Sequence, residues 1–243
     1  MLPITSLSRS HQSGFSLLEV TIALSISGIL LSGLWQLMAV SGQQREAAAL
    51  TSQALVVTAA AKDYMNGQNT TLLALPALST LGSVIRVKVT DADTGDTSNS
   101  LQSAGYLPAS FANKNSYGQA FAFYVSREDG GAPGVADAGD RLVGLLLTTG
   151  GTAITDSLGV KAAAAMGASG GFIYTENDPV SGTPTTIARG TAGGWQIDFS
   201  AGAWTAVGAA AVPGHFATLV NFLPTGAGGG GGGGARVLDD LND

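Results

Sequence analysis

GFSLLEVTIALSISGILLSGLWQLMAV, residues 14–40, is a glycine followed by about seven turns of apolar side chains with a single acid, Glu19, set among them. A carboxylate within a span otherwise suited to lipid costs on the order of 2.5 to 3.5 kcal/mol on insertion scales. Such a cost calls for a partner. A cut after Gly14 leaves a new amino terminus on Phe15 with Glu19 at the fifth position, one helical turn along and in reach of an ammonium. The run from Phe15 exceeds the roughly 7 to 15 residues of a cleaved secretory core and is long enough for a bilayer of about 30 Å. Arg9 and His11, with no acid in residues 1–14, hold that leader on the cytoplasmic side.

The glycine, the acid five residues on and the unbroken apolar run resemble the class III signal of type IV prepilins. The resemblance implies that a prepilin peptidase cleaves between Gly14 and Phe15, that Phe15 is then N-methylated, and that Glu19 meets the terminus of a neighbouring pilin subunit during assembly. It implies an inner-membrane precursor that ends in a cell-surface pilus. A plain signal anchor fits the length of the span but leaves Glu19 unexplained.

The 243 residues contain no cysteine, which excludes a disulfide framework, a thiolate metal site and a cysteine nucleophile. Many minor pilins close a C-terminal loop with a disulfide, so packing and strand pairing are expected to pin that region here. Loss of the leader removes Arg9 from 11 basic residues and none of the 17 acids, leaving 10 against 17, or a net charge of -7. An acidic chain without clustered Lys or Arg has no footprint for nucleic acid.

Beyond the span, Leu50, Ala54, Val57, Ala61 and Tyr64 recur at steps of four and three, while Gln44, Thr51, Thr58 and Lys62 mark another face. One helix over residues 15–65 is predicted, roughly 75 Å long, with 15–40 as its membrane part and Asn66-Gly67-Gln68 as its stop. Gly28 and Ser32 form a small-xxx-small pair, more simply read as tolerance in lipid. The pattern then changes to strands: 84–89, with Ile85, Val87 and Val89 inward; 121–125; 141–149, apolar on both faces and so central; 172–177; 195–199; and 215–223. A short helix over about 156–166 is predicted, with Thr155 or Asp156 as N-cap and Gly167 as its stop. The fold class is α+β, the type IV pilin fold: a helical spine on a mainly antiparallel β-sheet head with a short helix. The expected organisation is a leader at 1–14, the spine at 15–65, one head at 66–224 and a Gly-rich flexible tail at 225–243.

The order of GYLP, YGQ, LTTGG, GASGG and GGW, in residues 100–125, 141–174 and 193–201, is similar to the constant region of shufflon-type minor pilins, the PilV family of conjugative plasmids. That resemblance implies a minor pilin of a type IVb-like thin pilus. Its constant part docks in the filament, and a C-terminal part recognises a target or recipient cell surface, often through lipopolysaccharide sugars. Here the chain departs from the family: Gly228–Gly234 and then ARVLDDLND follow, and the run reads as a flexible linker. It is a dispensable tail, the end of a short member, or what a frame slip leaves of a longer adhesin. A type II secretion pseudopilin shares the signal and the spine and is the alternative.

An enzyme is the remote reading. GASGG fits G-x-S-x-G with Ser169 central, and Asp198 and His215 follow in the order of α/β-hydrolases. A nucleophile elbow, however, needs a strand before the serine and a helix after it, and KAAAAM before and FIYT after reverse that order. The double glycine reads instead as a tight helix-to-strand turn needing φ above zero. No catalytic role and no cofactor is assigned. DADTGD, Asp91–Asp96, opens like a calcium loop but has Asp96 where glycine belongs and Gln102 where glutamate belongs. With Asp129, Asp137 and Asp140 in a second acidic loop, it reads as solvated turns, with a structural calcium between the two loops as the alternative, and no metal is assigned. Trp195 and Trp204 are expected in the core rather than stacked on sugars.

Overall fold

In the computed structural model, which describes residues 16–176, 178–182, 186–191, 193–200, 204 and 212–221, the apolar run folds as α1 (Leu17–Leu73), one α-helix of 57 residues. The chain divides into two compact units, Met1–Arg45 and Glu46–Asp243. In the first, Leu17–Trp35 is long and apolar enough to cross a membrane. Its leucines, isoleucines and Trp35 are exposed on all sides, as in a helix made for an apolar surround. The hydroxyls of Thr21, Ser25, Ser32 and Ser41 donate to carbonyls three or four residues back, so these polar atoms are satisfied within the helix. Gly28 touches no other part of the chain.

The second unit starts within α1. The expected stop at Asn66-Gly67-Gln68 does not hold, and the helix runs on to Leu73. Tertiary packing overrides the weak propensity there. Met65 and Leu72 are buried, and the Tyr106 hydroxyl occupies the space where a Cβ on residue 67 would stand, so Gly67 serves a close approach. At the helix end Arg127 Nη1 donates to the carbonyl of Leu73 (3.3 Å), the last residue of α1, and to that of Leu78 beyond it (2.8 Å).

The strands are β1 (Val84–Val87), β2 (Ala120–Glu128), β3 (Arg141–Thr149), β4 (Gly170–Ile173), β5 (Ile187–Gly190), β6 (Gln196–Asp198) and β7 (His215–Asn221), with helix α2 (Asp156–Ala165) between β3 and β4. They form one antiparallel sheet in the order β1-β2-β3-β7-β4-β5-β6. The long N-terminal helix and this sheet make an α+β fold of the type IV pilin kind.

Alternation along the strands divides the apolar side chains between two layers. On one face Ile85, Val87, Phe123, Val125, Leu142 and Leu146 pack with Val57, Ala61 and Met65 of α1. On the other Tyr124, Leu145, Leu147, Ile173 and Ala217 pack with Ala188 and Ile197 of the terminal strands and with Trp195 and Trp204. The two-faced apolar character of 141–149 is thus met, because β3 contributes to both layers. A third cluster joins Ala47 and Leu50 of α1 to Leu158 and Ala162 of α2 and to Phe172 and Phe216. Thr51 Oγ1 links the two helices by donating to the Ala162 carbonyl at 3.0 Å.

Three local expectations change. Residues 187–190 form β5, which four residues with an arginine and a glycine do not announce by alternation. Thr155 is the N-cap of α2 but makes no side-chain cap bond, and Asp156 instead accepts from the Thr175 amide and hydroxyl (both 2.7 Å) and the Glu176 amide (3.1 Å). The positive φ after α2 belongs to Gly167 (+77°), as a helix stop requires, whereas Gly170 is extended at -73°. The double glycine is needed for packing: a Cβ on Gly170 would strike the Ala163 carbonyl, and one on Gly171 would strike the Trp195 indole. Residues 222–223 of the last expected strand and the tail at 225–243 lie outside the described residues.

Candidate functional site: the start of the apolar helix

Leu17 is the first residue of α1, Ser16 precedes it outside the helix, and the Glu19 amide donates to Ser16 Oγ at 3.2 Å. Ser16 is therefore an N-cap that satisfies one of the donors at the helix start. Glu19 lies in the first turn, where a carboxylate is favoured by the positive end of the helix dipole. This adds a second physical reason for an acid at the head of an apolar helix, beside an ammonium partner. Gly14 and Phe15, the expected cleavage and methylation positions, lie outside the described residues. The pattern S-x-x-E before an apolar run marks Ser16 in the sequence, although the cost of Glu19 draws attention first.

In the head, the residues weighed for catalysis are not joined. Ser169 Oγ donates to the Met166 carbonyl at 3.3 Å, and Asp198 accepts from the Ser200 amide at 2.8 Å. His215 is 2% exposed and its ring nitrogens face the carbonyls of Gly150 (2.9 Å), Val212 (2.8 Å) and Pro213 (3.3 Å). No hydrogen bond links Ser169, Asp198 and His215, which sit on a helix-to-strand turn, a sheet edge and the start of β7. That triad is not assembled.

The aspartates of both acidic loops bond to the chain itself while Asp91, Asp96 and Asp129 stay exposed to solvent as expected, and only Asp140 is buried. Asp91 accepts from Ser100 Oγ at 2.5 Å, Asp93 from the Thr90 amide and Asn113 Nδ2, and Asp96 from the Arg86 amide. In the β2–β3 loop Asp129 accepts from the Gly134 amide and Asp137 from those of Ala132 and Gly139. Asp140 pairs with Arg127 at 2.7 Å with neither side chain more than 6% exposed. Burial alone would raise the Asp140 carboxyl, but bonds from the Asp137 amide, Arg127 and the Gly130 amide outweigh it and hold it below the usual carboxylate range.

A second ion pair closes the β4–β5 connection, so more than packing and strand pairing pins the C-terminal region. Arg189 Nε meets Asp178 Oδ2 at 2.6 Å, and Asp178 also accepts from the amides of Val180 and Ser181. Burial pushes the Asp178 carboxyl up, yet Arg189 and those amides bring it down to about 2. Both described tryptophans of the head are core residues. The Trp195 indole lies across Gly171 and Gly190 with Nε1 donating to the Ala168 carbonyl at 3.1 Å, and Trp204 packs edge-on to Tyr124 and Phe199.

Near residue 46 the head holds α1 with polar contacts as well. Tyr117 donates its hydroxyl to Glu46 Oε1 at 2.8 Å, and Gln53 Nε2 donates to the Lys114 carbonyl at 2.9 Å. Burial and the adjacent Glu46 push the Tyr117 phenol up to about 12.

Comparison with known proteins places one match on this chain: residues 9–35 fit the family model described as a prokaryotic N-terminal methylation motif. No curated protein and no solved structure matches. The match runs from Arg9 through Ser16 to Trp35, and such a motif implies processing by a prepilin peptidase and assembly with other pilins. The chain carries a prokaryotic N-terminal methylation motif of the type IV prepilin kind at residues 9–35 and an α+β fold beyond it.

Proposed function

We propose that this chain is a minor pilin of a type IVb-like pilus, a structural and adhesive subunit that assembles through its N-terminal helix and supports recognition of a target or recipient cell. In this reading residues 1–14 are the leader, Gly14–Phe15 is the peptidase site, Phe15 is methylated and Glu19 pairs with a neighbour's terminus. The head carries recognition of surface glycans, and residues 225–243 are a flexible tail. The observation that carries the reading is the N-terminal methylation motif at 9–35 running into one helix that continues into the head. Support for the finer assignment comes from the ordered segments GYLP, YGQ, LTTGG, GASGG and GGW, which resemble the shufflon-type family.

Intact mass and N-terminal sequence of the chain recovered from sheared surface filaments test it. A chain starting at methylated Phe15 and found with filaments is expected. One still starting at Met1 and confined to the inner membrane overturns the prepilin route. A correctly processed chain found only with a secretion apparatus assigns it to the pseudopilins. Loss of recipient binding on deletion of the gene, restored by the wild-type chain, is expected of the adhesive role.

A further inference from the structure

Trp35 closes the stretch Leu17–Trp35, the part of α1 that is long and apolar enough to cross a membrane. Its 19 residues extend about 28 Å at 1.5 Å per residue, against a hydrocarbon layer of about 30 Å. Gln36 aside, the apolar run does not end there. Leu37 and Met38 follow on the same helix, as exposed as the leucines before them, and with Ala39 and Val40 they lengthen the run to about 36 Å. A run longer than the layer can slide or tilt within it, and its depth is set by residues that favour the membrane surface. The Trp35 indole is 76% exposed, and among the described residues its N–H has no acceptor, whereas the hydroxyls of Thr21, Ser25 and Ser32 are satisfied by carbonyls of their own helix. Within hydrocarbon that N–H goes unpaired. At the boundary it meets phospholipid oxygens and water while the ring stays against the acyl chains.

Resting on the membrane-anchored precursor reading above, we propose that Trp35 binds the phospholipid surface opposite the one nearest Glu19 and fixes the depth of α1 in the bilayer. Glu19 lies in the first turn of the helix, so a span from Leu17 to Trp35 keeps the carboxylate within a turn of one surface and sets the indole at the other. The two residues are opposed stops. Movement toward the Trp35 side draws the Glu19 carboxylate into hydrocarbon. Movement the other way, until Val40 meets the surface, draws the indole about 7 Å inward. With both stops met, Leu37 and Met38 stand in the headgroup layer. Trp35 touches lipid alone and is a positioning residue.

The test uses the full-length chain reconstituted in vesicles of phosphatidylethanolamine and phosphatidylglycerol. Emission of wild type less that of Trp35→Phe isolates Trp35 from the buried Trp195 and Trp204. That signal should be quenched at least about twofold better by lipids brominated near the glycerol than by lipids brominated near the chain ends. Because the chain contains no cysteine, Met38→Cys reports the surface by itself. Gln36→Leu accompanies it throughout, so that the neighbouring amide does not hold the boundary. A water-soluble maleimide should modify this chain readily, about threefold or more slowly once Trp35→Leu is added, and within about twofold of the parent with Trp35→Tyr, which keeps an amphipathic ring. Stronger quenching by the deep bromines overturns the proposal, as does quenching by neither lipid, the result if a second copy covers the indole, or labelling that Trp35→Leu leaves unchanged. A wild-type chain that does not float with the vesicles overturns the membrane-anchored reading and this proposal with it. One that floats with a deep indole removes the proposal alone.

Discussion

Replacing Arg127 with methionine keeps most of the aliphatic stem and removes the guanidinium that ties the end of α1 to the β2–β3 loop. That group makes four contacts: Asp140 at 2.7 Å, the Asp137 carbonyl at 2.7 Å, the Leu78 carbonyl at 2.8 Å and the Leu73 carbonyl at 3.3 Å. With Asp140 fully buried, the variant leaves an uncompensated carboxylate, for which about 3 to 5 kcal/mol is the usual cost. About 4 kcal/mol is close to a thousandfold in the folding equilibrium. It is also a large part of the roughly 5 to 15 kcal/mol that holds a domain together. The assay is urea unfolding of the full chain in detergent, followed by fluorescence of the buried Trp195 and Trp204. Asp140→Asn and the double variant complete a cycle, with a coupling of about 2 to 3 kcal/mol expected for groups in one network. A loss under about 1 kcal/mol for Arg127→Met, or additive single effects, would refute the reading of Arg127 and Asp140 as a buried, coupled pair.

Acid should loosen the β4–β5 connection. Because the Asp178 carboxyl is depressed to about 2, its contribution is complete above the ordinary carboxylate range and is lost as pH falls from about 4 toward 2. Wild type should lose stability over that window more steeply than Asp178→Asn, as read from urea midpoints. Gly171→Val places side-chain atoms against the Trp195 indole and should cost about 1 to 3 kcal/mol with a red shift of tryptophan emission. Gly167→Ala meets a φ of +77° and should cost about 1 to 2 kcal/mol without that shift, measured by thermal melting. Tyr117→Phe removes one bond to exposed Glu46 and should cost about 0.5 to 1.5 kcal/mol, read as a shift in the urea midpoint.

The residues that make the fold were readable where a period was long or a cost was large. Leu50, Ala54, Val57, Ala61 and Tyr64 face the core as their spacing requires, and Ile85, Val87 and Val89 point inward as their alternation requires. The end of α1 escaped because burial of Leu72 and the close approach of Tyr106 to Gly67 carry the helix past Asn66-Gly67. No window around Asn66-Gly67 contains Tyr106. β5 escaped because Arg189 and Gly190 suit a strand only once Asp178 and Trp195 are in place. At the N-terminus the cost of Glu19 drew the reading to a stretch that the methylation-motif family model also matches, while Ser16 needed the helix boundary to be seen.

A connection fastened by Asp178 and Arg189 differs in kind from one fastened by sulfur. No oxidant is consumed in making it, and no oxidoreductase has to visit the head while it matures. The closure forms as soon as β4 and β5 meet and re-forms after every excursion. The head can therefore reach its final shape in a reducing or an oxidising compartment alike, and a thiol reagent finds nothing in it to undo.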